Sequence, residues 1–269
     1  MKTTFTGLVY PLRVIAASVG YVSYFLAILV FLCAGLPFFL LFALLPKLMQ
    51  RLMRAALTAY TFFLTRLWLP ALGLYAVAEI SGLDRALRGA VLVANHRGRL
   101  DALLLLSMLP RTGVVIKAHY AREPLYYVFV KYLDFVSIDP DSLGSLGAAT
   151  AKCREVLAKG TNLLVFPEGT RAKTGRLLEF RTFPFRVAME TGAPVVPVII
   201  HSDLPFMARR RGSIFPRYRF RYTIRFLQAE RPGPGESAPD FAARVRGLMA
   251  GQLAMLDKGT CWDIGASGT

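Results

Sequence analysis

"VLVANHRGRLDALLLLSML", Val91 to Leu109, reads as one strand, one loop and one helix in sequence. The opening apolar run is short and rich in β-branched residues, as expected of a strand buried on both faces. It stops at Asn95, and a polar, basic loop intervenes before leucines resume. Downstream the same alternation repeats. Strands are expected at Ala90–Ala94, Gly113–Lys117, Phe135–Ile138, Asn162–Phe166, Val195–Ile200 and Arg219–Phe226. Helices are expected between them, at Leu100–Leu109, Leu125–Tyr132, Leu143–Ala158 and Phe183–Thr191. Ser237 and Asp240 have capping-box spacing for a closing helix to about Leu256. Such alternation predicts an α/β fold, a mixed central sheet flanked by helices. In "RFRYTIRFL", Arg219, Arg221, Thr223 and Arg225 mark one wet face of the last strand.

The region before this pattern differs in kind. From Val14 to Leu45 there is no charged residue, and as one helix the run would span about 48 Å, beyond a hydrocarbon core of ~30 Å. Two full crossings would need about 40 apolar residues, so a single spanning or re-entrant helix is expected, breaking near Gly35 and Pro37. The run is too long for the apolar part of a signal peptide. Leu48 to Tyr75 mixes Arg51, Arg54 and Arg66 with aromatics, which suits a helix at the membrane surface or a second embedded one. Basic residues are denser after the apolar run than before it, which favours a cytoplasmic site for the C-terminal part of the chain. The expected division is an anchoring segment at 1–81, a single domain at 82–258 and a flexible tail at 259–269.

With 33 Lys and Arg against 17 Asp and Glu, the net charge is +16, so an anionic partner is implied. Beside so long an apolar segment, an anionic membrane surface or anionic substrate fits better than nucleic acid, for which no reading helix or aromatic motif is present. Cys33, Cys153 and Cys261 are odd in number and widely spaced, with no metal-site pattern and no disulfide framework.

Two stretches carry chemistry. His96 and Asp101 would lie about 140° apart on one ideal helix and would not meet. With His96 in the turn and Asp101 in the first helical turn they can meet. The carboxylate then fixes the imidazole tautomer, and the second ring nitrogen can take a proton from a hydroxyl. In "LLVFPEGTRAKTGR", Leu163 to Arg176, a buried strand runs into a turn. There Gly169, the Thr170 hydroxyl and the Arg171 guanidinium suit a phosphate. Glu168 would hold a hydroxyl or orient a basic side chain.

Taken together, "NHRGRLD" and "FPEGTR" about seventy residues downstream resemble the glycerolipid acyltransferase family, of the 1-acyl-sn-glycerol-3-phosphate (lysophosphatidic acid) acyltransferase type. The resemblance runs from Asn95 to Ile200, where "GAPVVPVII" is similar to the family's downstream apolar block. It implies a membrane-bound enzyme of phospholipid biosynthesis. A fatty acyl group would pass from acyl-ACP or acyl-CoA to the free hydroxyl of a lysophospholipid. His96 would be the base and Asp101 its orienting partner. Glu168, Gly169, Thr170 and Arg171 would bind the acceptor, with Lys117 matching a substrate-binding lysine. No metal or bound cofactor is implied, and the catalytic domain would face the cytoplasm.

Departures from the family pattern bear on the acceptor. Gly98 stands where the family often has Ser. "FVSIDPDS" has Pro140 where the family has Arg, and "FRTF" has Arg181 and Phe183 for a Lys and a Gly. These leave room for a different lysolipid, such as an ornithine or glycine lipid. A non-catalytic lipid-binding protein is the other alternative. His119, His201 and the basic cluster Arg209–Arg211 are weaker candidates for a role.

Overall fold

The computed structural model describes residues 6–42, 45–172, 176–204, 206–207 and 215–260. The helices are α1 (Thr6–Phe42), α2 (Pro46–Phe62), α3 (Leu69–Ala71), α4 (Asp101–Leu106), α5 (Pro124–Tyr132), α6 (Leu143–Ala158), α7 (Phe183–Thr191) and α8 (Ala238–Asp257). The strands are β1 (Tyr75–Ser81), β2 (Val91–Ala94), β3 (Thr112–Lys117), β4 (Val136–Ile138), β5 (Asn162–Val165), β6 (Val195–Ser202) and β7 (Phe220–Phe226). They form one sheet in the order β1-β7-β6-β2-β5-β3-β4. Among these strands only β6 and β7 pair antiparallel. The architecture is the mixed α/β sheet flanked by helices that the alternation predicts. The central strands β2 and β5 are buried along their whole length, which their unbroken apolar runs require.

One core cluster lies under α1, α2, α4 and α5 and takes Met49, Met53, Leu57, Leu104, Leu105 and Phe129. The other lies under α6, α7 and α8 and takes Cys153, Val156, Phe185, Phe241 and Val245. Ser237 caps α8 as its spacing predicts, its hydroxyl accepting from the Asp240 N–H at 3.3 Å.

Three expectations are corrected near the N-terminus. The helix does not break at Pro37: α1 continues to Phe42. Proline removes one N–H from the ladder, and the surviving hydrogen bonds carry the helix on. Secondly, Leu48 to Tyr75 is not one regular helix. After α2 the chain widens into a π-helical turn at Phe63–Trp68 before α3. Pro70 offers no N–H to that turn, and the buried Tyr75 hydroxyl donates to the Thr65 carbonyl at 2.8 Å. Thirdly, the sheet begins before residue 82. β1, unforeseen in the sequence, runs parallel to β7 from Tyr75↔Phe220 to Ser81↔Arg225.

The segment expected to be only an anchor is thus also part of the core. α1 packs inward through Ala17 and Gly20, Trp68 donates its indole N–H to the Ser23 hydroxyl at 2.7 Å, and Arg13 donates to the Gly73 carbonyl at 3.1 Å. Its other face exposes Leu12, Ile15, Val22, Phe25, Leu26 and Leu29, each more than half accessible. Tyr10–Val30 is long and apolar enough to cross a membrane. Cys261, the tail from 261, Lys173 and the Arg209–Arg211 cluster lie outside the described residues.

Candidate active site

Register places the two motifs side by side. β2 pairs parallel with β5, Val93 opposite Val165, so the residues just past each strand end emerge together. Counting three on from that pair brings His96 level with Glu168. In a parallel sheet all such ends lie on one edge, where ligand crevices form. Lys117 closes β3 on the same edge, beside Ile138 of β4.

Asp101 has 1% of its surface exposed. Its Oδ2 lies 2.9 Å from His96 Nδ1 and accepts the backbone N–H groups of Arg97 and Gly98, each at 2.8 Å. One carboxylate oxygen thereby fixes both the loop and the ring. The imidazole also stacks on Phe166, centroids 4.1 Å apart. With Nδ1 engaged, Nε2 is left for the cavity that His96 lines. The two residues meet in the way their spacing allows: Asp101 begins α4, and His96 sits in the turn before it.

Glu168 is placed differently from its expected role at the acceptor. It is buried, one carboxylate oxygen accepts the His96 N–H at 2.8 Å, and the other accepts the Leu178 N–H at 3.0 Å. Both acceptors are spent on backbone, so Glu168 braces the His96 loop against the turn after β5. Burial pushes its carboxyl up from the usual value, and the two N–H donors with the His96 and Arg97 charges restrain that rise. The turn itself forms as Gly169 predicts, at φ +65°. Gly169, Thr170, Arg171 and Lys117 all line the cavity, and Arg171 Nη1 also donates to the Met207 carbonyl at 3.0 Å.

Two supports were not foreseen in the sequence. The Asn95 side chain imitates a strand neighbour, donating to the Ile200 carbonyl at 2.9 Å and accepting the Ile200 N–H at 2.8 Å. Arg97 is 4% exposed and makes a bidentate pair with Asp257 at the end of α8, at 2.7 and 2.6 Å. His201 Nε2 lies 3.3 Å from the same carboxylate. Burial acts to raise the Asp257 carboxyl, but the Arg97 hydrogen bonds and charge, with those of His201, outweigh it and hold it below its ordinary value. This assigns His201 a place behind the loop rather than in the cavity. His119 does line the cavity. Gly98 lies where a Cβ would come 2.9 Å from the Phe206 carbonyl, so a side chain there would push that segment away. Among the described residues no cluster of His, Cys, Asp and Glu has the arrangement of a metal site.

The cavity, about 1130 Å³, lies over the carboxyl edge of the sheet and reaches both of its faces. On one side Ala27, Ile28, Leu57, Leu103, Leu106 and Phe129 wall an apolar lobe between α1, α2, α4 and α5. On the other, Leu146 and Thr150 of α6 and Arg186 and Glu190 of α7 line a polar mouth.

The histidine–carboxylate pair, the braced turn beside it and the strands that carry them fall within a stretch that is similar to known proteins. Residues 78–201 match a family model described as Acyltransferase. The 1-acyl-sn-glycerol-3-phosphate acyltransferase of Cocos nucifera is 30% identical to it over 139 residues, 50% of this chain and 44% of that protein. Chloroplastic LPAT1 of Arabidopsis thaliana, also a 1-acyl-sn-glycerol-3-phosphate acyltransferase, is 32% identical over 143 residues, 51% of this chain and 40% of that protein. This chain spans about half the length of such curated relatives, or somewhat less. The crystal structure of PlsC, the 1-acyl-sn-glycerophosphate acyltransferase from Thermotoga maritima, matches with a TM-score of 0.71 at 19% identity, covering 91% of this chain and 98% of that one. At that identity the likeness speaks for the fold. The family model's match begins inside β1, the strand that the sequence pattern missed.

Proposed function

We propose that this chain is a membrane-bound O-acyltransferase. It moves a fatty acyl group from acyl-CoA or acyl-ACP to the free hydroxyl of a lysophospholipid, 1-acyl-glycerol-3-phosphate, to give phosphatidic acid. The observation that carries the proposal is the 2.9 Å His96–Asp101 pair at the rim of a cavity that joins an apolar lobe to a cationic mouth. The acceptor named for the relatives above supports this choice of lysolipid.

In this mechanism His96 Nε2 takes the proton of the acceptor hydroxyl as its oxygen attacks the thioester carbonyl. Asp101 orients the ring and offsets the imidazolium charge. The tetrahedral intermediate collapses, the C–S bond breaks, and the departing thiolate takes the proton back from His96. The atoms balance with no protein nucleophile, and the thioester itself supplies the activated acyl group. Lys117 and Arg171 bind the acceptor phosphate, with Gly169 letting the turn pass close by. Glu168 positions the His96 loop rather than touching the acceptor. The apolar lobe takes acyl chain, and the exposed apolar face of α1 holds the site at the bilayer where the acceptor resides.

The test is detergent-purified protein given long-chain acyl-CoA or acyl-ACP with a panel of lysolipids, products read by mass spectrometry. Phosphatidate formed from lysophosphatidate is the expected result. Acylation of a lyso-ornithine or glycine lipid alone would overturn the acceptor, and transfer to none would overturn the activity.

A further inference from the structure

The cavity holds more positive charge than one acceptor phosphate calls for. Arg99, Lys117, Arg171, Arg181 and Arg186 line it, and Glu190 is the one acidic side chain among its described lining residues. Glu190 is itself paired with Arg154 at 3.1 Å. A phosphate monoester carries at most two negative charges, which the Lys117 and Arg171 pair already matches.

Arg181 and Arg186 belong to a different wall from Lys117. Arg181 packs on the turn after β5: its backbone N–H donates to the Pro167 carbonyl at 2.9 Å, and its Nε would lie 2.9 Å from a Cβ at Gly169. Arg186 is one helical turn from Glu190 on α7, on the face turned to Leu146 and Thr150 of α6. Both arginines are exposed, and neither guanidinium has a hydrogen bond or ion pair among the described residues. Arg186 stands at the polar mouth, on the side of the cavity away from the apolar lobe, and Arg181, just before α7, reaches back to the Gly169 turn.

A transfer from a thioester needs two substrates present together, and both have an anionic group. The two donor classes share one: the phosphate that ends the phosphopantetheine arm, reached from the sulfur by a flexible, uncharged chain. With the acyl chain in the apolar lobe and the thioester at His96, that arm has to leave by the opposite side. We propose that Arg181 and Arg186 form a second anion site at the α6–α7 mouth, which holds the donor's pantetheine phosphate while Lys117 and Arg171 hold the acceptor. This rests on the acyl-transfer function proposed above.

The experiment uses three donors with the same acyl chain: acyl-CoA, acyl-ACP and acyl-pantetheine, which lacks the phosphate. Wild type, Arg186→Ala and Arg181→Gln are assayed in detergent against lysophosphatidate. Arg186→Ala should raise KM for acyl-CoA and acyl-ACP by about tenfold, the scale of a lost hydrogen bond to a charged group. Its KM for the acceptor and its kinetics with acyl-pantetheine should match wild type. A larger effect on acyl-CoA than on acyl-ACP would assign the site to the nucleotide-bearing donor, and the reverse to the carrier protein. A rise in acceptor KM with donor KM unchanged would overturn the proposal. So would an equal loss with acyl-pantetheine, or Arg186→Ala and Arg181→Gln both matching wild type on all three donors. Wild-type protein that transfers acyl groups from none of the donors would instead remove the acyl-transfer function itself, and this site with it.

Discussion

The two lobes of the cavity meet at one histidine but are built on opposite principles. In the apolar lobe Leu57, Leu103, Leu106 and Phe129 of α2, α4 and α5 belong to or pack against the core, so the shape of that wall is set by packing. The polar mouth is lined by α6 and α7 with exposed cations, so its selectivity is set by charge. Between them the His96 loop is held by neither lobe. Asp101, Glu168 and the Arg97–Asp257 pair fix it from beneath. The difference teaches where substitutions should act: steric changes on one side, charge changes on the other, and stability changes behind the loop.

The largest effect is expected behind the loop. Asp257→Ala removes the bidentate carboxylate partner of the buried Arg97 guanidinium, which costs about 3–5 kcal/mol. Thermal or denaturant unfolding should show this loss, and activity towards every donor and acceptor should fall together. A variant that lost activity with one substrate only would break the distinction between the loop's support and the lobes.

A steric change in the apolar lobe should be smaller and selective. Ala27→Trp on α1 intrudes into the space beside Ile28 and Leu57. If it excludes two methylenes, transfer of long chains falls roughly fifteen-fold relative to short ones, at ~0.8 kcal/mol per methylene. Competition between long- and short-chain acyl-CoA measures that ratio. An unchanged ratio would show that the lobe does not take the chain.

A pH effect should arise from Asp257. Its folded-state pKa is depressed, so the stability it contributes is present above the unfolded carboxylate value and is lost as pH falls through the folded one. Melting temperature against pH should therefore drop on the acid side more steeply for wild type than for Asp257→Asn. The smallest effect is expected at Cys153. Burial pushes its thiol up to about 12, so alkylating reagents should leave it unmodified in the folded protein, with Cys153→Ala able to check the assignment by mass spectrometry.

Most of the edge that carries the candidate site was legible because it is local. β2, β5 and the turns after them are short apolar runs ending in motif residues, and α6 and α7 match their expected limits. What escaped depends on distant partners. Nothing near Arg97 in the chain announces Asp257, 160 residues away, and a basic residue in a polar loop reads as solvated until its burial is seen. Glu168 carries the polarity of a ligand-binding group, yet its partners are two backbone N–H groups brought together by the fold. β1 was hidden because Leu72 to Val77 continues the apolar composition of the helices before it, and only pairing with β7 makes it a strand. Pro37 misled in the other direction, since a local rule for breaking helices yielded to the length of apolar ladder on either side.

The most direct measurement is the turnover of His96→Ala with acyl-CoA and lysophosphatidate, beside wild type of matched melting temperature and lysolipid affinity. The account predicts a fall in kcat of about 10²- to 10⁴-fold, the range of a lost general base, with both lobes still occupied by their substrates. Turnover within a few-fold of wild type, in protein shown to be folded, would contradict it.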